Sequence, residues 1–300
     1  MGVLDRVVLA TLPYVPRLVM RRIASRYIAG EVLGDALQRL RDLAGRGHPG
    51  ILDLLGEDVT NEDAARAVAR SYREAAVALS DSGLDAYLSV KPTHIGLRLS
   101  EELAHELYSS IARVCSEHEI FLRVEMEDHT TTDATLRVFE RLRQEFDCVG
   151  IVLQSRLLRT PQDIASLAPG PLSVRLVKGV YLEPAEIAHV APEPIREAFV
   201  EACRGLFERG AHVSLATHDD VLAERLIRLC RRLELGPDAY EFQVLMGVRE
   251  PLWETWRRAG HSVRVYVPYG PQWRAYSTRR LRKNPEIVRH VLRGLLPGAR

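Results

Sequence analysis

Near the end of the chain, in YSTRRLRKNP, Tyr276, Arg279, Arg280 and Lys283 stand at i, i+3, i+4 and i+7 of a predicted helix, so they share one face. Pro285 ends or kinks that helix. An isolated basic run of this kind ordinarily faces water. Paired guanidinium forks, however, also grip a carboxylate or phosphate bidentately. Upstream, polar groups recur at the ends of short apolar runs: Glu57, Lys91, Glu125, Glu127, Asp128, His129, Gln154, Arg175, Lys178, Thr217, His218, Asp219, Gln243 and Tyr266. Two chemistries fit such a set. Glu125, Glu127, Asp128, His129, His218 and Asp219 offer oxygen and nitrogen ligands for a divalent ion. Alternatively, Arg175, Lys178 with Gly179 and the turn at Thr217 suit a phosphate-bearing cofactor. The cations Arg175 and Lys178 favour the cofactor and weaken the metal site, so no metal is expected.

The elements that must position these groups are legible as alternation. Eight β-rich runs lie at 50–55, 85–91, 121–127, 148–154, 172–178, 212–217, 240–246 and 263–268. Helical patterns lie at 61–82 (with Thr60 as N-cap), 100–117, 133–146, 161–167, 192–209, 220–233, 249–258, 272–283 and about 286–296. Eight strands alternating with helices predict an α/β fold, a (β/α)₈ barrel. The competing open sheet wants a GxGxxG turn after its first strand, and GEDVTNED stands there instead. Residues 1–48 read as an N-terminal helical arm and residues 49–300 as the barrel. Chemistry in such a barrel sits at the C-terminal ends of its strands, where the polar residues converge.

The bulk numbers narrow the partners. The 300 residues are 46% apolar and 27% charged, with 41 basic and 40 acidic residues and a net charge of +1. That balance gives no reason to expect nucleic acid. Four scattered cysteines, Cys115, Cys148, Cys203 and Cys230, suggest neither a zinc site nor a disulfide framework, and a reducing cytoplasm is the simpler setting. No apolar run is long enough to span a bilayer, and the first residues do not read as a signal peptide. The basic amphipathic stretch 17–29 would either pack on its own domain or touch a membrane surface.

The ordered motifs LLGE (54–57), VKPT (90–93), RVEMEDHTTTDATL (123–136), GIVLQS (150–155), VRLVKGVYLE (174–183), ATHD (216–219), EFQVLMGV (241–248) and the segment 264–281 ending in RRL resemble the bacterial monofunctional proline dehydrogenases, over nearly the whole chain. The resemblance implies a distorted (β/α)₈ barrel that binds FAD, oxidises L-proline to Δ1-pyrroline-5-carboxylate and passes electrons to a membrane quinone. It implies FAD contacts at Gln154, Arg175, Val177, Lys178, Gly179, Thr217, His218, Asp219 and Gln243. Arg279 and Arg280 match the pair that grips the substrate carboxylate, and Glu57 an acid that pairs with one of them as a gate. Lys91, Tyr181, Leu245, Tyr266 and Tyr276 match other substrate positions.

The sequence departs from that family's pattern twice. Glu125 stands where the family's motif begins with Asp, and one extra methylene moves a carboxylate by roughly 1.5 Å. Lys283 stands where the family carries Glu in its last helix. Both changes fall at substrate positions. They leave open a second reading, in which the scaffold keeps FAD and takes hydroxyproline, another cyclic imino acid or an amino acid derivative. A third reading is a flavin- or ligand-binding barrel without turnover.

Overall fold

The computed structural model describes residues 24–274. Its centre is a closed barrel of eight parallel strands in sequence order. They are β1 (Gly50–Leu54), β2 (Ala86–Val90), β3 (Leu122–Val124), β4 (Val149–Gln154), β5 (Ser173–Val177), β6 (His212–Ala216), β7 (Tyr240–Leu245) and β8 (Val263–Tyr269). Closure is carried by β1, which pairs with β2 at Gly50–Ala86 and with β8 at Gly50–Val265. The predicted barrel is thus the observed one, and the open sheet is excluded.

The strands alternate because their two faces meet different environments. Leu88, Val90, Leu122, Val124, Val174 and Leu176 belong to the apolar core shared with the surrounding helices. Those helices are α1 (Leu33–Ala44), α2 (Glu62–Ser82), α3 (Glu101–Glu117), α4 (Thr132–Leu142), α5 (Thr160–Ser166), α6 (Pro192–Glu208), α7 (Asp220–Arg232) and α8 (Glu250–Arg258). The cap of α2 is Asn61 rather than Thr60; its side chain accepts from Ala64 N, and Gly83 in the left-handed region (φ 62°) ends the helix.

β3 stops three residues earlier than its apolar run predicts. The chain turns away there because the Glu127 carboxylate accepts from Thr93 N and Oγ1, at 2.8 and 2.9 Å, and Asp128 accepts from Thr130 N at 3.0 Å. Side chains that bind backbone groups in this way compete with the sheet ladder.

The wall between β8 and β1 is filled from the N-terminal side. α8 lies between β7 and β8 in the chain, and α1 packs against β8 and β1. Leu40 of α1 sits where a Cβ on Gly50 would stand 2.1 Å from its Cδ2, so glycine at the start of β1 lets helix and strand approach. Of the basic stretch 17–29, the described part packs on the barrel: Ala24, Tyr27 and Ile28 are buried, and Ala29 N donates to Pro268 O. The predicted helices at 272–283 and 286–296 lie almost wholly outside the described residues.

If α1 completes the wall, Leu40→Ala should lower the unfolding free energy by about 2–5 kcal/mol. Urea titration reads this directly; a loss below about 1 kcal/mol would show that α1 is not part of the packed wall.

Candidate active site

A barrel interior is ordinarily filled by branched apolar side chains. Here the side chains that meet across the axis are polar. In the lower layer, the buried Arg123 donates to Ile151 O and Ser173 O and lies over the rings of Tyr87 and Phe121. Gly150 makes room for it, since a Cβ there would stand 2.4 Å from Arg123 Nη1. Arg264 donates to both oxygens of Glu241 at 2.9–3.1 Å.

One layer higher, Arg175 of β5 forms an ion pair with Glu125, just past β3. The same guanidinium donates from Nε to Gln243 Oε1 at 2.6 Å and from Nη1 to Ser89 Oγ at 3.3 Å, and lies 5.0 Å from the Tyr266 ring centroid. Glu125 Oε1 also accepts from Ser89 Oγ and from the Tyr266 hydroxyl, the latter at 3.2 Å. Lys91, one residue past β2, donates from Nζ to Oδ1 and Oδ2 of Asp53 at 3.0 and 3.2 Å.

Burial works against charge throughout this cluster. It would raise the Glu125 carboxyl, but Arg175 and Lys91 hold it below the usual carboxylate range. Burial alone would lower the Arg175 guanidinium, yet Glu125 beside it raises it above its ordinary value. At Asp53 burial wins, and the carboxyl is raised in spite of Lys91. The mouth therefore carries two cation–carboxylate pairs under a tyrosine hydroxyl. Such a setting can orient a small zwitterion and exclude water.

The second half of the mouth lies over β4 to β6. Gln154 ends β4, and its Nε2 donates to Glu127 O at 2.7 Å. Val177 ends β5, with Lys178 and Gly179 following. Gly179 has φ 96°, and a Cβ there would stand 2.7 Å from Gln154 Oε1, so a bare backbone faces Gln154. Lys178 and Arg196 both bind the Asp219 carboxylate, which also caps α7. Thr217 Oγ1 accepts from Asp219 N, and His218 Nε2 accepts from Leu245 N. Two cations and a helix amino end around a glycine turn suit a phosphate-bearing group.

Most residues singled out in the sequence meet at this end of the barrel. Lys91, Glu125, Arg175, Gln243 and Tyr266 form one hydrogen-bonded cluster or border it, and Gln154, Gly179, Lys178, Thr217, His218, Asp219 and Leu245 form its neighbour. Tyr181 is half-buried, with its carbonyl held by Arg156 Nη1, and it lies within electrostatic reach of Glu57 and Glu127. Arg175 and Gln243 are deeper than their positions alone suggest, each 3% exposed. Tyr276, Arg279, Arg280 and Lys283 lie outside the described residues.

The six residues weighed as metal ligands go elsewhere. Glu125 pairs with Arg175, Glu127 with Thr93, Asp128 with Arg98, His129 with Glu183, His218 with Leu245 N and Asp219 with Lys178. Among the described residues no three potential ligands converge.

Asp53, Ser89, Tyr87 and Arg196 were not singled out from the sequence. The first three occupy alternate positions on β1 and β2, in phase with Lys91, and that phase was the available signal.

Burial pushes the Glu127 carboxyl up to about 7, against the hydrogen bonds from Thr93. A carboxyl raised in the folded state stabilises the fold below its unfolded value of 4.5 and loses that contribution as pH rises through about 7. Glu127→Gln should therefore flatten the decline of stability across that window, read by urea titration at several pH values. An unchanged slope would contradict the assignment.

Comparison with known proteins bears on what this mouth does. A family model described as proline dehydrogenase matches residues 36–291. Proline dehydrogenase 1 of Bacillus subtilis subsp. natto is 33% identical over 273 residues, covering 91% of this chain and 90% of that protein. Proline dehydrogenase of Deinococcus radiodurans is 34% identical over 284 residues, covering 93% and 92%. Among solved structures, proline utilization A from Bdellovibrio bacteriovorus, inactivated by N-propargylglycine, superposes with a TM-score of 0.81 at 24% identity. That match spans 86% of this chain and 32% of the other, and it supports the fold. By its matched length and by identity to full-length relatives, the chain belongs to the proline dehydrogenase family of oxidoreductases.

Proposed function

We propose that the protein oxidises L-proline to Δ1-pyrroline-5-carboxylate with FAD as its cofactor and passes the electrons to a quinone or another acceptor. The observation that carries this reading is the largely buried cluster of Lys91, Asp53, Glu125, Arg175 and Tyr266 beside the cation-rich glycine turn at Lys178–Gly179.

FAD, when bound, supplies the hydride acceptor for the ring carbon next to nitrogen. The chain supplies the rest. Lys178, Gly179, Thr217, His218 and Asp219, with Val177 at the strand end, would hold the phosphate-bearing part. Arg175, Gln154 and Gln243 would help to hold the flavin. Lys91, Glu125 and Tyr266 would bind and orient the substrate, with Tyr181, Leu245 and Tyr276 closing the pocket.

Arg279 and Arg280 would grip the carboxylate, and Glu57 would pair with one of them across the closed mouth, as a bidentate arginine–carboxylate contact allows. Orientation of the reacting carbon is itself worth several kcal/mol of barrier. A quinone acceptor would place the protein in the cytoplasm, in contact with the inner face of the membrane.

Glu125 favours a second reading. Its longer side chain reaches down to Arg175, Ser89 and Tyr266 at a position where the family's motif has Asp. A site reshaped there would accept hydroxyproline, another cyclic imino acid or an amino acid derivative instead of plain proline.

Anaerobic titration of the purified yellow protein with L-proline separates the two readings. Bleaching of the flavin band is the expected result. A yellow protein that stays oxidised would keep the cofactor and reject proline. Glu125→Asp combined with Lys283→Glu should raise proline turnover; no gain, or a loss, would argue that proline is not the native substrate.

A further inference from the structure

Of the 41 lysines and arginines in the chain, only three are lysines: Lys91, Lys178 and Lys283. Most described ion pairs use arginine, including solvent-facing ones such as Arg66–Glu106 and Arg137–Glu101. The two lysines among the described residues, Lys91 and Lys178, stand one residue past the ends of β2 and β5, each paired to an aspartate. An arginine would also pair with an aspartate, and bidentately. What lysine offers instead is a compact point charge whose hold on its proton responds readily to burial and to its neighbours.

Lys91 and its partner differ sharply in exposure. The Asp53 side chain is 1% exposed and that of Lys91 18%. Both Asp53 oxygens take a hydrogen bond from the same ammonium. Asp53 is fixed by the β1 backbone, which pairs on both sides, with β2 at Ser89 and with β8 at Pro268. Glu125 from β3 and the tyrosines Tyr266, Tyr269 and Tyr72 face Asp53. Glu125, Glu127 and His94 face Lys91. Glu125 is committed to Arg175 and Glu127 to Thr93, and among the described residues the Lys91 ammonium donates to both oxygens of Asp53.

We propose that Asp53 is the positioning residue for Lys91, fixing both its place at the mouth and its charge state, and thereby the pH range over which the enzyme oxidises its substrate. The proposal rests on the function argued above. Removing the carboxylate takes away the counter-ion that accepts from Lys91 through both oxygens, so the amine gives up its proton at lower pH. Lengthening the carboxylate keeps the charge and displaces the ammonium by about 1.5 Å.

The test uses full-length, cofactor-loaded protein carrying 13C at lysine Cε, which has only three lysine signals, assigned by single lysine replacements. In Asp53→Asn the Lys91 midpoint should fall by about 1–3 pH units, and the pH profile of kcat/KM should move with it. In Asp53→Glu the amine should stay charged over the same range as in wild type while kcat/KM falls by about 10–100-fold. In a Lys91→Met background, Asp53→Asn should cost almost nothing further.

An unmoved Lys91 midpoint in Asp53→Asn, an unchanged kcat/KM in Asp53→Glu, or an equal loss with and without Lys91 would each overturn the proposal. If Asp53→Asn does not fold, the Asp53→Glu arm still decides. If wild type does not oxidise L-proline, the function reading fails, while the lysine titration still reports on the Asp53–Lys91 link.

Discussion

The mouth of the barrel depends on one buried contact, the ion pair between Arg175 and Glu125. Taking two charges out of water is costly, and a buried pair often stabilises no better than apolar residues of the same volume. Its value lies in geometry. The Glu125 carboxylate fixes one edge of the Arg175 fork, Gln243 takes the Nε edge, and the Tyr266 ring covers the guanidinium. The same oxygen of Glu125 receives Ser89 and Tyr266. Strands β2, β3, β5, β7 and β8 are therefore tied together through two side chains.

The rest of the interior follows from that commitment. A charged upper layer needs polar neighbours below it, and Gln243, Tyr87, Glu241 and Arg264 supply a continuous hydrogen-bonded column. Arg123 adds a third interior arginine, for which Gly150 gives up its side chain. Apolar burial is left to the outer face of the strands and the helices around them. Filling the β8–β1 gap from the N-terminal side with α1 completes that outer layer.

The strands were legible because buried parallel strands write themselves as short apolar runs between helical stretches. All eight were found in order, and their polar ends pointed to one face of the barrel. The interior was not read, although its signal was present. Tyr87, Ser89 and Lys91 alternate with Leu88 and Val90, and Arg123 and Glu125 flank Val124. Period-two alternation in a strand expected to be buried on both faces marks a polar lumen. Asp53 was missed for this reason. The seat of α1 was illegible for another: which helix closes the last gap depends on long-range packing, not on local pattern. Lys178 and Asp219, both expected at the cofactor, pair with each other, and Arg196 shares that carboxylate, a contact between separate elements that spacing does not reveal.

The most direct measurement is a double-mutant cycle at Glu125 and Arg175, with unfolding free energies from urea titration of Glu125→Gln, Arg175→Met and the double variant. Each single change should cost about 3–5 kcal/mol, because it strands a buried partner. The double should cost less than the sum by about 2–3 kcal/mol. Costs that add to within about 0.5 kcal/mol would contradict the account, since the two side chains would then act independently and the mouth would be organised by something else.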